Sequence, residues 1–408
     1  MNHPAKINRS EWSILLILAA IQFTNILDFV IVMPLAPSLR EDLEIDSQQF
    51  GLFVSSYGFA SFFGTIFAAK FLDRYGRKRA LLALYLGFSL STLYCGLAPS
   101  FNMILTARAA AGVFGGVLGA AVMAIVGDVF ADYRRGTAMG IIMSAFAVAS
   151  VMGVPIGLLI AESYGTQTPF TALAGFCFAV LIFAAITLPD LPAPGQSKTA
   201  KSKLVELLTV PSHLKSFAFT ATLVCSSFMV IPYLADAMVA NAGVQKESVK
   251  YIYLVAGSAT FVSTIFIGRL SDRIGKQITF RIIASIAILM MLAVTNLPQV
   301  PLAITILVCT GFMVFTSGRM VPAQALITGS SLPAVRGGFL SLNTAVQSIG
   351  MGAASFFSSF IIGNSEDGKV TGYWIVGLMA AVFALFSIFI GNSIQVIDSP
   401  STQPELLE

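Results

Sequence analysis

The sequence predicts an all-α membrane protein of twelve transmembrane helices, arranged as two pseudo-symmetric six-helix bundles. Three observations predict it. Of the 408 residues, 56% are hydrophobic and only 11% are charged, far from the roughly 25% charged of soluble domains. Apolar runs recur twelve times, each near the roughly 20 residues a helix needs to cross a hydrocarbon core. The second half of the chain then repeats the landmarks of the first in the same order.

The runs fall at about 12–36, 49–69, 79–98, 101–125, 136–161, 169–188, 217–239, 250–269, 279–296, 301–325, 338–363 and 371–395. They are continuous rather than alternating, and twice the roughly ten-residue length of a membrane β-strand, which argues against a barrel. Helices satisfy their own backbone groups in lipid. The first run is too long for a signal-peptide core and leads into further spans, so it is expected to stay in the mature protein.

Charges separate the runs in order. Lys6 and Arg9 precede the first and Arg40 follows it; Lys70, Arg74, Arg77, Lys78 and Arg79 lie between the second and third, and Arg134 and Arg135 between the fourth and fifth. The longest polar stretch, "PDLPAPGQSKTAKSKLVELLTVPSHLKS" at 189–216, carries Lys198, Lys201, Lys203 and Lys215 after the sixth. Lys246 and Lys250 flank the start of the eighth, Arg269, Arg273, Lys276 and Arg281 surround the next turn, Arg336 precedes the eleventh and Lys369 the twelfth. Eighteen of the 24 Lys and Arg thus fall on the side of the termini and four on the other. The positive-inside rule makes both termini cytoplasmic in an inner (cytoplasmic) membrane. The net charge of +4 is a topology signal and calls for no nucleic-acid partner. Cys95, Cys177, Cys225 and Cys309 all fall inside spans, as small apolar residues rather than a disulfide framework.

The central stretch divides the chain into a bundle over 1–189, a cytoplasmic loop over 190–216 and a second bundle over 217–408. "VIVMPLAPSL" aligns with "SFMVIPYLADAM" through Pro34 and Pro232; Asp73 aligns with Asp272 and Arg135-Gly136 with Arg336-Gly337, at offsets of 198, 199 and 201 residues. A near-constant offset means parallel repeats, the arrangement that builds alternating-access carriers. A duplicated channel or receptor would share it.

"KFLDRYGRK" with Asp73, Arg74, Gly76 and Arg77, and "GRLSDRIGK" with Gly268, Asp272, Arg273 and Gly275, resemble the signature of the major facilitator superfamily between its second and third spans. The first copy has Ala69 where the pattern has glycine. "RAAAGVFGG" in span 4 resembles the family's intramembrane arginine motif, with Arg108 and Gly112 in register. "ASVMGVPIG" in span 5, with Ala149, Gly153, Pro155 and Gly157, resembles the antiporter motif, its usual Gly-Pro pair interrupted by Val154. The resemblance covers essentially the whole chain and is nearest to the twelve-helix drug:proton antiporters. It implies the major facilitator fold, a gate on the cytoplasmic side latched through the Asp73 and Asp272 motifs, and spans 1 and 4 lining a central cavity. The bland reading of the two aspartates is pairing with nearby arginines.

A charge at mid-bilayer costs about 2.5 to 3.5 kcal/mol on insertion scales, so Asp28, Arg108 and Arg319 each need a reason. Asp28 lies 16 residues beyond Trp12, about 24 Å up a helix, a depth that matches Arg108 descending from the opposite face. The two can pair, with Gln22 and Asn25 near the same face. Asp28 is then either a fixed bridge between helices or a proton site, its affinity set by desolvation against the Arg108 charge. Arg108 does not titrate; it tunes Asp28 or holds substrate. Arg319 either snorkels toward the cytoplasm or lines the cavity. Ser226 and Ser227, at the repeat position of Asp28, and Asn343 and Gln347, four apart in span 11, are either interhelical hydrogen-bonding groups or cavity lining. Asp128, Arg135 and Asp236 read as structural.

His3 and His213 are the only histidines, and no metal-ligand spacing, nucleophile–base motif or phosphate-binding loop appears. An enzyme or an ATP-driven pump is therefore disfavoured, and no cofactor is expected beyond a proton gradient. The expected function is proton-coupled efflux of a small molecule or drug by a monomer in the lipid bilayer. A sugar, amino-acid or other metabolite exporter is the alternative, and a non-transporting receptor or sensor the alternative of another class. If Asp28 and Arg108 neutralise each other while Arg319 faces the cavity, the site is net positive and suits anionic or zwitterionic compounds. The topology is checked by single cysteines at Ala200 and Asp367 on a background lacking the four native ones. An impermeant reagent added outside is expected to label 367 and not 200; the reverse pattern refutes the orientation.

Overall fold

The computed structural model describes residues 9–72, 76–130, 132–189, 207–332 and 335–394. Asp73 and Arg74, the central loop over 190–206 and the extreme termini lie outside the described residues, as does the side chain of Arg135. Ten helical segments are long and apolar enough to cross a membrane: Glu11–Val30, Arg77–Leu97, Phe101–Val129, Gly136–Tyr164, Thr168–Thr187, Pro211–Ala240, Lys246–Ile274, Lys276–Thr295, Leu302–Gly329 and Tyr373–Asn392. They are spans 1, 3 to 10 and 12. Spans 2 and 11 are the 26-residue helices Ser47–Leu72 and Arg336–Ile361. Both carry serine, glycine and amides along their length and use them to pack on each other.

Several spans are not single rods. Span 1 stops at Val30, passes through a turn containing Pro34 and resumes as the short helix Ala36–Asp42. Span 7 does the same at the matching proline: Pro211–Phe228, a tight turn of helix over Ile231–Tyr233, then Leu234–Ala240. A proline ring has no N–H to donate and clashes with the preceding turn, so a break there follows from the sequence. Span 10 breaks at Arg319, between Leu302–Gly318 and Met320–Gly329. Span 5 widens into a π-helical turn over Ala149–Gly153 before Pro155, a distortion that tends to mark functional segments. Span 7 also begins earlier than its hydropathy indicates, with Pro211 in its first turn, so the end of the expected central loop is helix.

The two halves meet at the end of the bundle opposite the chain termini, here the far end. Gly58 of span 2 crosses Gly352 of span 11 so closely that a Cβ on Gly58 would lie 2.7 Å from the Gly352 backbone. Just below, Ser61 and Ser348 share a hydrogen bond of 3.0 Å. Span 5 meets span 8 where Gly257 faces the Ser150 carbonyl, and Phe29 of span 1 packs on Phe228 of span 7, ring centroids 5.8 Å apart. No hydrogen bond between two described residues of different halves lies nearer the terminal end than Ser61 and Ser348. The bundle is zipped from its far end to its middle.

The glycine crossing generates a prediction. Gly58→Val would overpack it, a change that typically costs about 1 to 3 kcal/mol, and the cost falls only on states in which spans 2 and 11 touch. Distances between spin labels across the far end are expected to lengthen in Gly58→Val; an unchanged distribution refutes a role for this crossing in closure.

Candidate functional site

Asp28 is wholly enclosed. Its Oδ2 accepts a 2.6 Å hydrogen bond from Nη1 of Arg108, which is 1% exposed, and its Oδ1 accepts one of 3.2 Å from Thr92 of span 3. Arg108 Nη1 also reaches the Asp28 carbonyl at 3.3 Å, one turn before span 1 breaks. The guanidinium carbon sits 4.6 Å from the ring centroid of Tyr57 and 5.6 Å from that of Phe53, within cation–π range. Gly112 makes this possible: any side chain there would collide with the Tyr57 backbone. The arginine motif of span 4 therefore holds a cation together with the small residue that lets span 2 close over it.

Asn25 joins the same cluster through other partners. It accepts from the Tyr57 hydroxyl at 3.1 Å and donates to the Gly115 carbonyl at 3.1 Å. Gln22 stands apart, its Oε1 buried without a hydrogen-bond partner and facing Gly119. Neither amide hydrogen-bonds the Asp28 carboxylate: Asn25 turns to spans 2 and 4 and Gln22 to span 4. Gly153 and Gly157 of span 5 rest on Leu27 and Ile31, bracketing Asp28 on span 1. Pro155 is buried between them.

In the second half Arg319 is 0% exposed. Its Nη2 donates to Ser226 and Ser227, each at 2.8 Å. The snorkelling alternative is thereby excluded, since the side chain turns back into the bundle. Asn343 accepts a 2.6 Å hydrogen bond from Thr220 of span 7, and Gln347 is half-buried one turn further on. At the terminal end, Arg77 pairs with Asp128 of span 4 at 3.0 Å. Asp272 is exposed and makes no ion pair among the described residues; with Gly275, Lys276, Gln277 and Asn392 it lines an open cleft of about 740 Å³. Gly275 takes a φ of +93° at the turn into span 9, where a side chain would be strained. Gly268 faces Val321 of span 10, and Arg273 is exposed. The described residues contain no cluster of potential metal ligands.

Sequence reasoning missed the far-end closure. Arg40 pairs with Asp236 at 2.8 Å across the halves, Lys250 pairs with Glu162 at 2.5 Å, and Lys246 bonds Glu41. Tyr233 donates to the Ser47 carbonyl at 3.2 Å. The Lys246 ammonium holds the Glu41 carboxyl below the usual carboxylate range, so the pair weakens as acid protonates the carboxylate. Three of the four cations on that side bridge the two halves.

A family model described as the Major Facilitator Superfamily matches residues 18–355. The chain belongs to that superfamily. Among similar transporters is a multidrug resistance protein of Klebsiella pneumoniae, 25% identical, with 92% of each chain covered. A chloramphenicol resistance protein of Streptomyces lividans is 24% identical over 86% of this chain and 89% of its own. A probable sugar efflux transporter of Mannheimia succiniciproducens is 23% identical over 65% of this chain and 66% of its own. The fold matches a crystal structure of a D-xylose–proton symporter with a TM-score of 0.76 at 15% identity, covering 92% of this chain and 97% of that one. A bacterial homologue of the lysosomal transporter Spinster gives 0.75 at 16%, covering 95% and 98%. The protein is a multi-pass membrane transporter of the major facilitator fold.

In this transporter Asp236 is 4% exposed, so Arg40→Ala would leave its charge uncompensated, a loss of about 3 kcal/mol. Asp236→Ala is expected to be comparably harmful, and the exchange Arg40→Asp with Asp236→Arg to recover most of the melting temperature in detergent. Purely additive losses in that exchange refute the bridge as a pair.

Proposed function

We propose that this transporter exports small molecules by proton antiport, with Asp28 as the group that binds and releases the proton. The observation that carries the reading is the Asp28 carboxylate held wholly inside the bundle by Arg108 and Thr92. An ionisable group in a membrane span that is neither exposed nor idle usually marks an ion path. Span 1 offers no other carboxylate at that depth.

With the terminal end taken as cytoplasmic, the zipped far end is the closed outer gate and the halves part toward the cytoplasm. In this state the carboxylate lies 2.6 Å from the Arg108 guanidinium, whose charge favours the ionised form. Opening toward the outside would expose it to external protons, and protonation would release Arg108 to a substrate or to a second conformation. Return to the present state restores the pair and discharges the proton inward. Substrate and proton thus compete for one charge state. Multidrug, chloramphenicol-resistance and sugar-efflux relatives all support export. The cycle needs no cofactor and one chain.

Asp28→Asn keeps shape and hydrogen bonding while removing the titratable group. In proteoliposomes with an imposed pH gradient, tested with chloramphenicol, a disaccharide and a panel of organic acids, uphill export is expected to fall to background while downhill counterflow persists. Undiminished gradient-driven export by the inserted variant refutes the proton role and leaves Asp28 as a structural partner of Arg108. Absence of counterflow for every compound in the wild-type protein favours a receptor.

A further inference from the structure

Arg319 lacks what the buried Arg108 and the half-buried Arg40 have. Arg108 is answered by Asp28 and Arg40 by Asp236, but Arg319 makes no ion pair among the described residues. Its Nε and Nη1 are buried without any hydrogen-bond partner, which leaves about three N–H bonds unanswered of the five a guanidinium carries. Only Nη2 is engaged, by Ser226 and Ser227 at 2.8 Å and, marginally, by the Leu223 carbonyl at 3.5 Å. A guanidinium does not shed its proton, and a bare cation in a low-dielectric interior is strongly disfavoured.

The repeat shows what is missing. Ser226 and Ser227 occupy the position of Asp28, at offsets of 198 and 199 residues. In each half an arginine of the fourth span reaches to this place on the first span. The first half puts a carboxylate there; the second puts two hydroxyls and no charge. Both serines point their own protons at the Leu223 carbonyl, at 2.7 and 3.3 Å, and a hydroxyl rotates readily to donate elsewhere. The place can therefore offer unpaired guanidinium hydrogens and two hydroxyl donors to one incoming oxyanion. Span 10 is broken at Arg319 itself, and on the terminal side of the serines span 7 carries Thr220, which donates to Asn343 of span 11.

We propose that Arg319, Ser226 and Ser227 form the binding site for an anionic group, a carboxylate or related oxyanion, carried by the transported molecule. This rests on the reading of the chain as a carrier. Substrate then completes the charge pair of the second half as Asp28 completes that of the first, and the preferred cargo is a small organic acid rather than a lipophilic cation.

The test uses the purified full-length protein in detergent and reads its melting temperature with benzoate, benzenesulfonate, inorganic phosphate or chloride, with benzamide as the neutral match of benzoate. Benzoate at about 10 mM is expected to raise the melting temperature by about 3 °C in a saturable way, and benzamide to leave it unmoved. Arg319→Gln removes the cation and Ser227→Asp supplies an internal carboxylate; both are expected to abolish the shift. Ser227→Asp is also expected to melt above the wild type without ligand, which keeps the test decisive if Arg319→Gln does not fold. A shift that persists in Ser227→Asp, or no shift with any anion in the wild type, overturns the proposal. So does an Arg319-dependent shift with chloride or phosphate alone, which assigns the site to an inorganic counter-ion. Gradient-driven export of a neutral or cationic compound that needs Asp28 but not Arg319 overturns this assignment while leaving the proton role of Asp28 standing.

Discussion

A guanidinium inside a membrane bundle must be answered by negative charge or by a dense set of acceptors, and the polar architecture of this transporter is organised by that constraint. Arg108 lies in a nearly lipid-like interior and is held by a carboxylate, a carbonyl and two aromatic faces. The carboxylate and carbonyl belong to Asp28 of span 1 and the rings to span 2, so span 4 is tied to spans 1 and 2 at one depth. Thr92 brings span 3 to the same point. Four of the six helices of the first half are thus registered by one ion pair. Glycines at 112, 115 and 116 are the geometric counterpart, since each allows a polar side chain or backbone of span 2 to approach span 4.

The second half solves the packing problem without solving the charge problem. Phe219 and Phe280, ring centroids 4.9 Å apart, anchor an apolar cluster, while Arg319 is answered by two hydroxyls and a distant carbonyl, with no carboxylate. Two halves built on one plan therefore differ in electrostatics. A neutral pair in one and an uncompensated cation in the other make the bundle asymmetric in what it can attract, although its helices are related by repetition. Buried ion pairs contribute little net stability after desolvation, so retaining these charges is better explained by what they do than by what they stabilise.

Much of this was legible in the sequence, and the limits have physical reasons. The helices, their number and the proline breaks follow from hydropathy and from the missing N–H of Pro34 and Pro232. The Asp28 and Arg108 pair followed from matched depths, because a helix rises by a fixed amount per residue. Thr92 and Tyr57 were not legible: a hydroxyl in an apolar span is common, and its partner depends on helix rotation, which depth does not give. The partners of Asn25 were hidden for the same reason. Spacing along a helix fixes which residues share a face, but not which neighbouring helix that face meets. The bridges at the far end were hidden because Arg40 and Asp236 stand 196 residues apart, and only the docking of one half on the other brings them together.

On the proposed reading, the chemistry and the gate are joined through a single helix. Asp28 precedes the break in span 1, and the short helix after the break carries Glu41 and Arg40, two of the residues that close the far end. Arg108 holds both the side chain and the carbonyl of Asp28, so it grips the helix at the last turn before the break. Neutralising the carboxylate would leave the carbonyl contact, at 3.3 Å, as the weaker remaining hold. The segment bearing Arg40 would then lose its anchor on the side of span 4, while span 7, broken at the matching proline, keeps Asp236 on a segment of the same kind. A proton bound in the middle of the bundle can in this way loosen charges at its far end without any long pathway of side chains. It needs only that the helix be interrupted between the two, and both halves interrupt it at the same place.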